Sequence, residues 1–376
     1  MPYPETQNAL VCAAIGEPFE IKERPVPKPG PGQVLVKIVS AALNPVDELI
    51  RVKGIHVKGA LMSTYPTICG SDAAGTVAAL GEGVDNLKIG DRVVFQNWFV
   101  PDRGTFQQYA LSDAGTTAKI PENLSFDEAA TVPIGLATAV MGFYGGKASE
   151  ERGGAGLPVP WEESGRDRFR DEPIFITGGA SSVGQFVIQM AKLSGFGPII
   201  TTASAQHTEY CKFAGATHII DYHTTPYSSI PSAVASILSP SPTASNPLKF
   251  TWDCIGNEET NALCWTMLAP SGTMIVARCA PVYWPNVVLP AQATGDGRKE
   301  GKKAYFSAGN VNLPINKVLG ENLYANLEQM LRDGRVKPNH LEVLPGGLVA
   351  IADGLTRIVS GKAAGVKLIV HPQETA

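Results

Sequence analysis

The sequence predicts an α/β protein that combines a small, irregular β-barrel-like domain with a doubly wound parallel sheet. Short strands separated by glycine and proline occupy the N-terminal third of the chain, and strands then alternate with helices between Ile174 and Ala277. With 376 residues, of which 44% are hydrophobic and 18% charged, the chain is long enough for two such domains.

The N-terminal part contains apolar, β-branched runs of strand length. The clearest is Val34–Ser40, and Asn44–Glu48 then starts a turn into a short helix. Further on, Ser125 and Glu128 form a capping box that begins a helix. The charged, glycine-rich segment 145–173 has no periodicity, so it is predicted to be an exposed loop.

The glycine-rich stretch after Ile174–Thr177 is the strongest local signal. A buried strand is followed by the turn Gly178–Gly184, an amphipathic helix and a second strand at Ile199–Thr202. The glycine spacing alone also suits an ordinary strand–helix turn, but this context favours a pyrophosphate held at the helix N-terminus. The residues predicted to contact the pyrophosphate are Ser181, Ser182, Val183 and Gly184.

The end of the second strand indicates which dinucleotide binds. NAD-binding folds usually place a carboxylate there for the ribose hydroxyls, but no carboxylate appears before Glu209. A carboxylate would repel a 2′-phosphate, whereas hydroxyl groups and a histidine can donate to one, so NADPH is favoured over NADH. Ser204, Ala205, Gln206 and His207 are predicted to face that phosphate, and the alternative for His207 is an exposed residue of the following helical turn.

The rest of the chain continues the alternation. Segment 228–247 is rich in serine and proline and is predicted to be exposed. The tail, with a helix at 324–332 and strands at 341–344 and 366–371, has a different spacing and is expected to return to the N-terminal domain.

Charge and cysteine content exclude several classes of function. The net charge is −4 without a basic block, which argues against nucleic-acid or anionic-membrane surfaces. No apolar run approaches the length of a membrane span, and the N-terminus does not read as a signal peptide. The six scattered cysteines are expected to be reduced thiols of a cytoplasmic protein.

Several motifs together resemble the medium-chain dehydrogenase/reductases. They include AALNPVD at 41–47, GSDAAGTVAALGEGVDNLKIGDRV at 70–93, GATHIIDY at 215–222 and DCIG at 253–256. Within that superfamily, the chain is most similar to zinc-free fungal enoyl reductases that act in trans with polyketide synthases. The resemblance implies a GroES-like catalytic domain (1–130 with 314–376), a Rossmann NADPH-binding domain (131–313), a monomer or homodimer, and a synthase partner.

The resemblance also predicts that no zinc is bound. Zinc enzymes of the superfamily place a cysteine where this chain has Asn44, and Gly-His-Glu where it has Gly70-Ser71-Asp72. Asn44 and Ser71 are poor zinc ligands, and the four-cysteine structural loop is missing. Cys69, next to Gly70, is predicted to be a buried, small apolar side chain.

Residue roles are carried over from the resemblance, each with a plainer alternative. The nicotinamide end is expected near Val46, Asp47, Glu48, Cys254 and Ile255, although Asp47 could simply cap a helix and the last two could be core residues. Tyr222 is expected near the adenosine phosphate, or else packs at the rim. Ala364, Gly365 and Val366 are expected to close over the cofactor.

Two groups of residues are candidates for the substrate site. In the resemblance, Ile134, Gly135, Thr138 and Met141 match the start of a substrate-facing helix. The stretch 279–287, with Val282 and Tyr283, is aromatic and proline-rich and could line an acyl pocket. The alternatives are core packing for the first group and a surface loop at a subunit interface for the second. The sequence identifies no proton donor and no catalytic side chain.

The leading functional hypothesis is hydride transfer from NADPH to the β-carbon of an α,β-unsaturated carbonyl, such as a polyketide-type enoyl thioester. The alternative enzyme is a quinone oxidoreductase. The alternative of another class is a non-catalytic NADPH-binding or structural protein.

Overall fold

The computed structural model describes residues 3–54, 56–57, 60–61, 64–146, 153–238, 248–277, 300–307 and 309–375. They fall into two compact units, Met1–Ile134 with Asn310–Ala376 (unit 1) and Gly135–Gly309 (unit 2). Among these residues no helix has both the length and the apolar character needed to cross a bilayer. The functional domains at 1–130 with 314–376 and at 131–313 stay a prediction.

Unit 1 is built mainly from antiparallel strands. Its strands are β1 (Thr6–Cys12), β2 (Phe19–Pro25), β3 (Gln33–Ala42), β4 (His56–Val57), β5 (Ala60–Leu61), β6 (Thr67–Ile68), β7 (Asp72–Leu80), β8 (Arg92–Gln96), β9 (Tyr109–Asp113), β10 (Thr117–Lys119), β17 (Leu341–Val343) and β18 (Lys367–Val370). Its helices are α1 (Pro45–Lys53), α2 (Phe126–Ala130), α8 (Lys317–Arg332) and α9 (Ile351–Val359), with 3₁₀ turns at Ala114–Thr116, Pro314–Asn316, Gly347–Ala350 and Pro372–Glu374. Helix α3 (Pro133–Tyr144) starts in unit 1 and continues into unit 2.

The larger sheet of unit 1 has the order β10-β8-β7-β3-β18-β17, with β9 also paired to β3. Strand β18 pairs antiparallel with β3 through Ile369 and Ala42, so the tail completes the N-terminal sheet as the spacing predicts. Ile38, Phe95 and Leu368 belong to the apolar core that this sheet covers. The capping box also forms, because Ser125 accepts from Glu128 N–H at 3.1 Å.

Unit 2 is a parallel sheet with flanking helices. Its strands are β11 (Ile174–Thr177), β12 (Ile199–Ala203), β13 (His218–Asp221), β14 (Leu248–Asp253), β15 (Leu268–Val276) and β16 (Lys303–Phe306). Its other helices are α4 (Ser182–Leu193), α5 (Thr208–Ala214), α6 (Ile230–Leu238) and α7 (Glu258–Met267), with 3₁₀ turns at Ala205–His207 and Tyr227–Ser229. The strand order is β13-β12-β11-β14-β15-β16, and every pair is parallel. This is the doubly wound order of a Rossmann fold, as predicted.

Two segments predicted to be exposed are partly buried, and both predictions are wrong there. In 145–173, the Trp161 side chain is only 9% exposed, and its ring meets Tyr144 edge-on at 5.6 Å. In 228–247, Ile230 and Val234 lie one helical turn apart in α6 and are buried. Each segment is polar on average, but its few apolar side chains are buried because this removes their apolar area from water. Residues 147–152 and 239–247 lie outside the described residues.

Candidate functional site

The strand order of unit 2 reverses between β11 and β14. In open parallel sheets, ligands bind beyond the carboxyl ends of the strands at such a reversal. The two strand ends are tied together here, because the Thr177 hydroxyl donates to Asp253 Oδ1 at 2.7 Å. The turns that follow these strands therefore start from a fixed base.

The turn after β11 has the shape of a phosphate cradle. Gly178 has a φ of +63°, a conformation that favours glycine. A Cβ added to Gly184 would lie 2.2 Å from the carbonyl oxygen of Gly178, so helix α4 approaches the turn closely. Ser181 caps α4 by accepting from Gly184 N–H at 3.0 Å. The small turn and the N-terminal end of the helix dipole together suit a dinucleotide pyrophosphate.

The turn after β14 is organised by one buried carboxylate. Asp253, which is completely buried, accepts from Ile255 N–H at 3.0 Å and from Gly256 N–H at 2.8 Å through Oδ1. Its Oδ2 accepts from the Thr260 hydroxyl at 2.8 Å and from Asn261 Nδ2 at 3.0 Å. With the Thr177 hydroxyl, five donors converge on this carboxylate, which balances its burial.

The ends of β12 and β13 complete the same sheet edge. Ser204 is 9% exposed, whereas Ala205 and Gln206 are exposed and His207 is half-buried. Tyr222 follows β13 and is 37% exposed. The cofactor residues predicted within unit 2 thus follow four neighbouring parallel strands and are brought to one edge.

In unit 1, Asp47 performs the helix-capping alternative. Its carboxylate accepts from Asn44 N–H at 2.8 Å and from Gly70 N–H at 2.9 Å, and the side chain is completely buried. Burial raises the pKa of Asp47 to about 7, although both backbone hydrogen bonds and Lys367 oppose the rise. Glu48, also predicted to lie near the nicotinamide, forms an ion pair with Arg51 at 2.6 Å.

A buried polar cluster lies beside this cap, and we define it as Asn44, Ser71, Asp72 and Lys367. The Asn44 amide donates to Asp72 Oδ2 at 3.1 Å, and the Ser71 hydroxyl donates to Asp72 Oδ1 at 3.1 Å. Lys367 Nζ lies 3.2 Å from Asp72 Oδ2 and also donates to Asn44 Oδ1. Asp72 Oδ1 further accepts from Ile134 N–H at 3.0 Å, at the start of α3.

This donor set does not fit a zinc ion. Catalytic zinc takes three cysteine, histidine or carboxylate ligands, but the cluster offers an amide, a hydroxyl and one carboxylate that already receives an ammonium group. Burial raises the pKa of the neighbouring Cys69 thiol well above its ordinary value, which opposes a thiolate ligand. In the described ranges, no group of three histidine, cysteine or acidic residues could hold a metal.

The remaining predicted residues divide between the units. Unit 1 contains Val46, Asp47, Glu48, Ile134, Ala364, Gly365 and Val366, and unit 2 contains Gly135, Thr138, Met141, Ser181, Ser182, Val183, Gly184, Ser204, Ala205, Gln206, His207, Tyr222, Cys254 and Ile255. Met141 is only 2% exposed, as the core alternative requires, whereas Ile255 is 44% exposed and is no core residue. Val282 and Tyr283 lie outside the described residues.

Sequence reasoning missed the two charged centres, Asp253 and the Asp72–Lys367 pair. A signal existed for each. Asp253 ends an apolar strand directly before a glycine turn, and Lys367 and Asp72 are isolated charges in strands that are otherwise apolar. A lone charge in a buried strand indicates a buried partner, since such groups are almost never buried unpaired.

Comparisons with known proteins agree with this architecture. The model of the alcohol dehydrogenase GroES-like domain matches residues 30–122, and that of the zinc-binding dehydrogenases matches residues 182–279. A trans-enoyl reductase of Pyricularia oryzae is 32% identical over 92% of both chains. The enoyl reductase component of the lovastatin nonaketide synthase of Aspergillus terreus is 29% identical over 98% of this chain and 97% of the relative.

A solved structure shows the same fold. It is a zinc-dependent alcohol dehydrogenase protein, described as putative, from Rhizobium etli, which is 22% identical, with a TM-score of 0.74 over 98% of this chain and 99% of that one. The fold, the phosphate cradle and these matches define the class, so the chain belongs to the medium-chain dehydrogenase/reductase superfamily of oxidoreductases, which use nicotinamide cofactors. Within it, the chain resembles fungal trans-enoyl reductases along nearly its whole length.

Proposed function

We propose that this protein is an NADPH-dependent reductase of the carbon–carbon double bond conjugated to a carbonyl, with a polyketide-type enoyl thioester as substrate. The observation that carries the proposal is the end-to-end similarity to trans-enoyl reductases, at 32% identity for the one from Pyricularia oryzae. A match that spans both units supports a shared activity better than a match to one domain would, because a reductase needs both a cofactor site and a substrate site.

The chain's own residues have defined tasks in this reaction. When bound, the nicotinamide cofactor supplies the hydride. The turn Gly178–Gly184 and the N-terminus of α4 bind its pyrophosphate. Asp253 fixes the backbone of Ile255 and Gly256 through hydrogen bonds of 3.0 and 2.8 Å, so the turn predicted to face the nicotinamide keeps its shape.

The choice of NADPH rests on the residues after β12. From Ser204 to His207 no side chain carries a negative charge, and Glu209 is paired with Lys212 at 2.9 Å. Gln206 Nε2 lies 3.3 Å from His207 Nε2, so two side chains with N–H groups are adjacent at this position. Such groups suit a 2′-phosphate, whereas a ribose 2′-hydroxyl calls for a carboxylate acceptor.

The cofactor assignment is tested by exchanging one charge. Ser204→Asp should weaken NADPH binding at least tenfold, since a carboxylate would face the 2′-phosphate, and it should leave NADH binding equal or stronger. Fluorescence titration with both dinucleotides measures this. Glu209→Gln, outside the predicted contact, serves as the control. Equal weakening of both dinucleotides by Ser204→Asp would contradict the assignment.

The reaction is tested with NADPH deuterated at the transferring position and a short trans-2-enoyl thioester. Deuterium on the β-carbon of a saturated product, seen by mass spectrometry, would support enoyl reduction. Turnover of a quinone but not of the thioester would replace the proposal with the quinone oxidoreductase alternative. Failure to bind NADPH at all would favour a non-catalytic protein.

The proposed partner is a polyketide synthase that presents the substrate on a carrier domain. The support is the name of the Aspergillus terreus relative, an enoyl reductase component of such a synthase. Comparing kcat/KM for the same acyl group on a carrier domain and on coenzyme A tests this. A clear preference for the carrier domain is expected, and equal values would contradict a dedicated partner.

A further inference from the structure

The polar cluster of unit 1 already contains a cation. Lys367 is 4% exposed, and its ammonium group contacts Asp72 Oδ2 at 3.2 Å and Asn44 Oδ1. Asp72 is completely buried and Asn44 is 3% exposed. A lysine is rarely buried to this extent unless its charge is paired and its N–H groups are bonded. The side chain is therefore held here by specific acceptors.

The acceptor positions of the Asp72 carboxylate are fully used. Asp72 receives four donors, namely Lys367 Nζ and Asn44 Nδ2 on Oδ2, and the Ser71 hydroxyl and Ile134 N–H on Oδ1. An ionised carboxylate offers about four lone-pair directions. A metal ion could bind Asp72 only if it displaced one of these donors, and at Asn44 Oδ1 it would lie beside the ammonium group that already contacts this oxygen.

The charges of the neighbouring groups point the same way. The Asp47 carboxylate beside the cluster accepts from the backbone N–H groups of Asn44 and Gly70. Asp72 is the carboxylate that contacts the Lys367 ammonium group directly. A divalent cation entering beside the ammonium group would meet a like charge in a medium of low dielectric constant. The cluster is thus balanced for one positive charge.

We propose that the Lys367 ammonium group is the resident cation of this cluster and that it holds the Asn44 and Asp72 oxygens closed to zinc. These are the positions where zinc enzymes of the superfamily carry, or adjoin, metal ligands. The cation that neutralises Asp72 is thus a side chain of the protein itself, carried by β18. This inference does not depend on the proposed function.

Chemical rescue tests the proposal. Lys367→Ala removes the atoms from Cγ to Nζ, which correspond to a propylammonium ion. We expect the variant to melt about 10 °C below the wild type, because Asp72 loses its buried partner. Propylammonium chloride should recover part of this loss in a saturable manner, whereas tetramethylammonium chloride, which has no N–H donor, should not.

A control variant and a second readout separate the site from general effects. Lys362→Ala removes an exposed lysine five positions earlier and should melt like the wild type in both salts. If Lys367→Ala does not fold in buffer, its refolding yield from urea with each salt gives the same comparison. Equal effects of the two salts, or a melting temperature of Lys367→Ala within about 2 °C of the wild type, would overturn the proposal.

Zinc binding provides the second measurement. Calorimetric titration of the full-length protein with zinc should show no saturable site that depends on Asn44, so wild type and Asn44→Ala should give the same curve. A stoichiometric zinc site in the wild type that disappears in Asn44→Ala would show that the metal displaces Lys367, and would overturn the proposal.

Discussion

Replacing Asp253 probes the link between the two turns at the edge of the parallel sheet. The carboxylate is completely buried and accepts five hydrogen bonds, from two backbone N–H groups, two threonine hydroxyls and one asparagine amide. Asp253→Asn keeps one acceptor oxygen, and its new NH2 group faces the Thr260 hydroxyl and Asn261 Nδ2, which donate to Oδ2 in the wild type. Asp253→Ala removes every acceptor.

The size of each effect follows from these contacts. In Asp253→Asn, the oxygen can serve Thr177, Ile255 and Gly256, and the Thr260 hydroxyl can rotate to accept. The Asn261 NH2 group cannot accept, and turning the Asn261 oxygen toward residue 253 would break the 2.7 Å hydrogen bond from Asn261 Nδ2 to the Asn257 carbonyl. One hydrogen bond and the charge assistance are therefore lost, at a cost of about 2 kcal/mol. In Asp253→Ala, the buried donors lose their shared partner, and we expect a loss of about 4 kcal/mol.

Two assays separate stability from binding. Urea unfolding followed by tryptophan fluorescence reports mainly on unit 2, because four of the five tryptophans lie between Gly135 and Gly309, among them the completely buried Trp252 next to Asp253 in β14. Titration of the folded variants with NADPH reports on the turn. We expect Asp253→Asn to weaken binding about tenfold, or ~1.4 kcal/mol, since the Ile255–Gly256 backbone is held less firmly. Glu258→Gln, an exposed acidic residue five positions later, is the control.

Either of two results would refute this reasoning. If Asp253→Asn unfolds within about 0.5 kcal/mol of the wild type, the five hydrogen bonds do not carry the stability assigned to them. If the variant is destabilised but binds NADPH with unchanged affinity, the turn is structural and the cofactor contact predicted for Cys254 and Ile255 is wrong.

Three further predictions concern single residues. The pKa of Asp47 is about 7 in the fold against 3.8 when unfolded, so the free energy of unfolding should fall by about 4 kcal/mol as pH rises through this window. In urea titrations at several pH values, Asp47→Asn should flatten this pH dependence of the free energy of unfolding. An unchanged pH dependence in the variant would contradict the prediction. Gly184→Ala places a Cβ 2.2 Å from Gly178 O and should weaken NADPH binding at least tenfold, whereas Gly146→Ala, with nothing within 4 Å, should not. Burial opposes protonation of His371, but hydrogen bonds to Glu374 and Asp127 prevail and raise its pKa. Its stabilising effect should therefore be present at acidic pH and disappear as pH rises through the folded pKa. The melting temperature of His371→Gln, measured across pH, should lack this loss of stability. A loss as large as in the wild type would refute the prediction.

Local patterns predicted the parts of the fold that depend on neighbouring residues. The strand–turn–helix at Ile174–Gly184 and the Ser125 capping box are encoded within a few positions, so periodicity and turn chemistry suffice to find them. The burial of Trp161 was missed because composition describes a segment's average, whereas packing depends on where one large ring finds a partner.

The buried cluster could not be predicted from any local window. Asn44 and Lys367 are separated by 323 positions, and their contact exists only because β18 joins the sheet beside β3. The sequence shows that each is an unusual residue for its strand or turn. Which of the charged residues becomes the partner is decided by strand order and register, which single-residue patterns do not contain.

The position of β18 in the chain has a consequence for synthesis on the ribosome. Unit 2 is contiguous, from Gly135 to Gly309, so all its strands are available before unit 1 can be completed. Until residues 367–370 emerge, β3 lacks its pairing partner at Ala41 and Ala42, and Asp72 lacks its ammonium partner. The nascent chain therefore keeps part of this sheet edge open, and Asp72 without its ammonium partner, until almost the end of its translation. We expect the second-encoded unit to mature first, with the first-encoded unit closing only around the last strand.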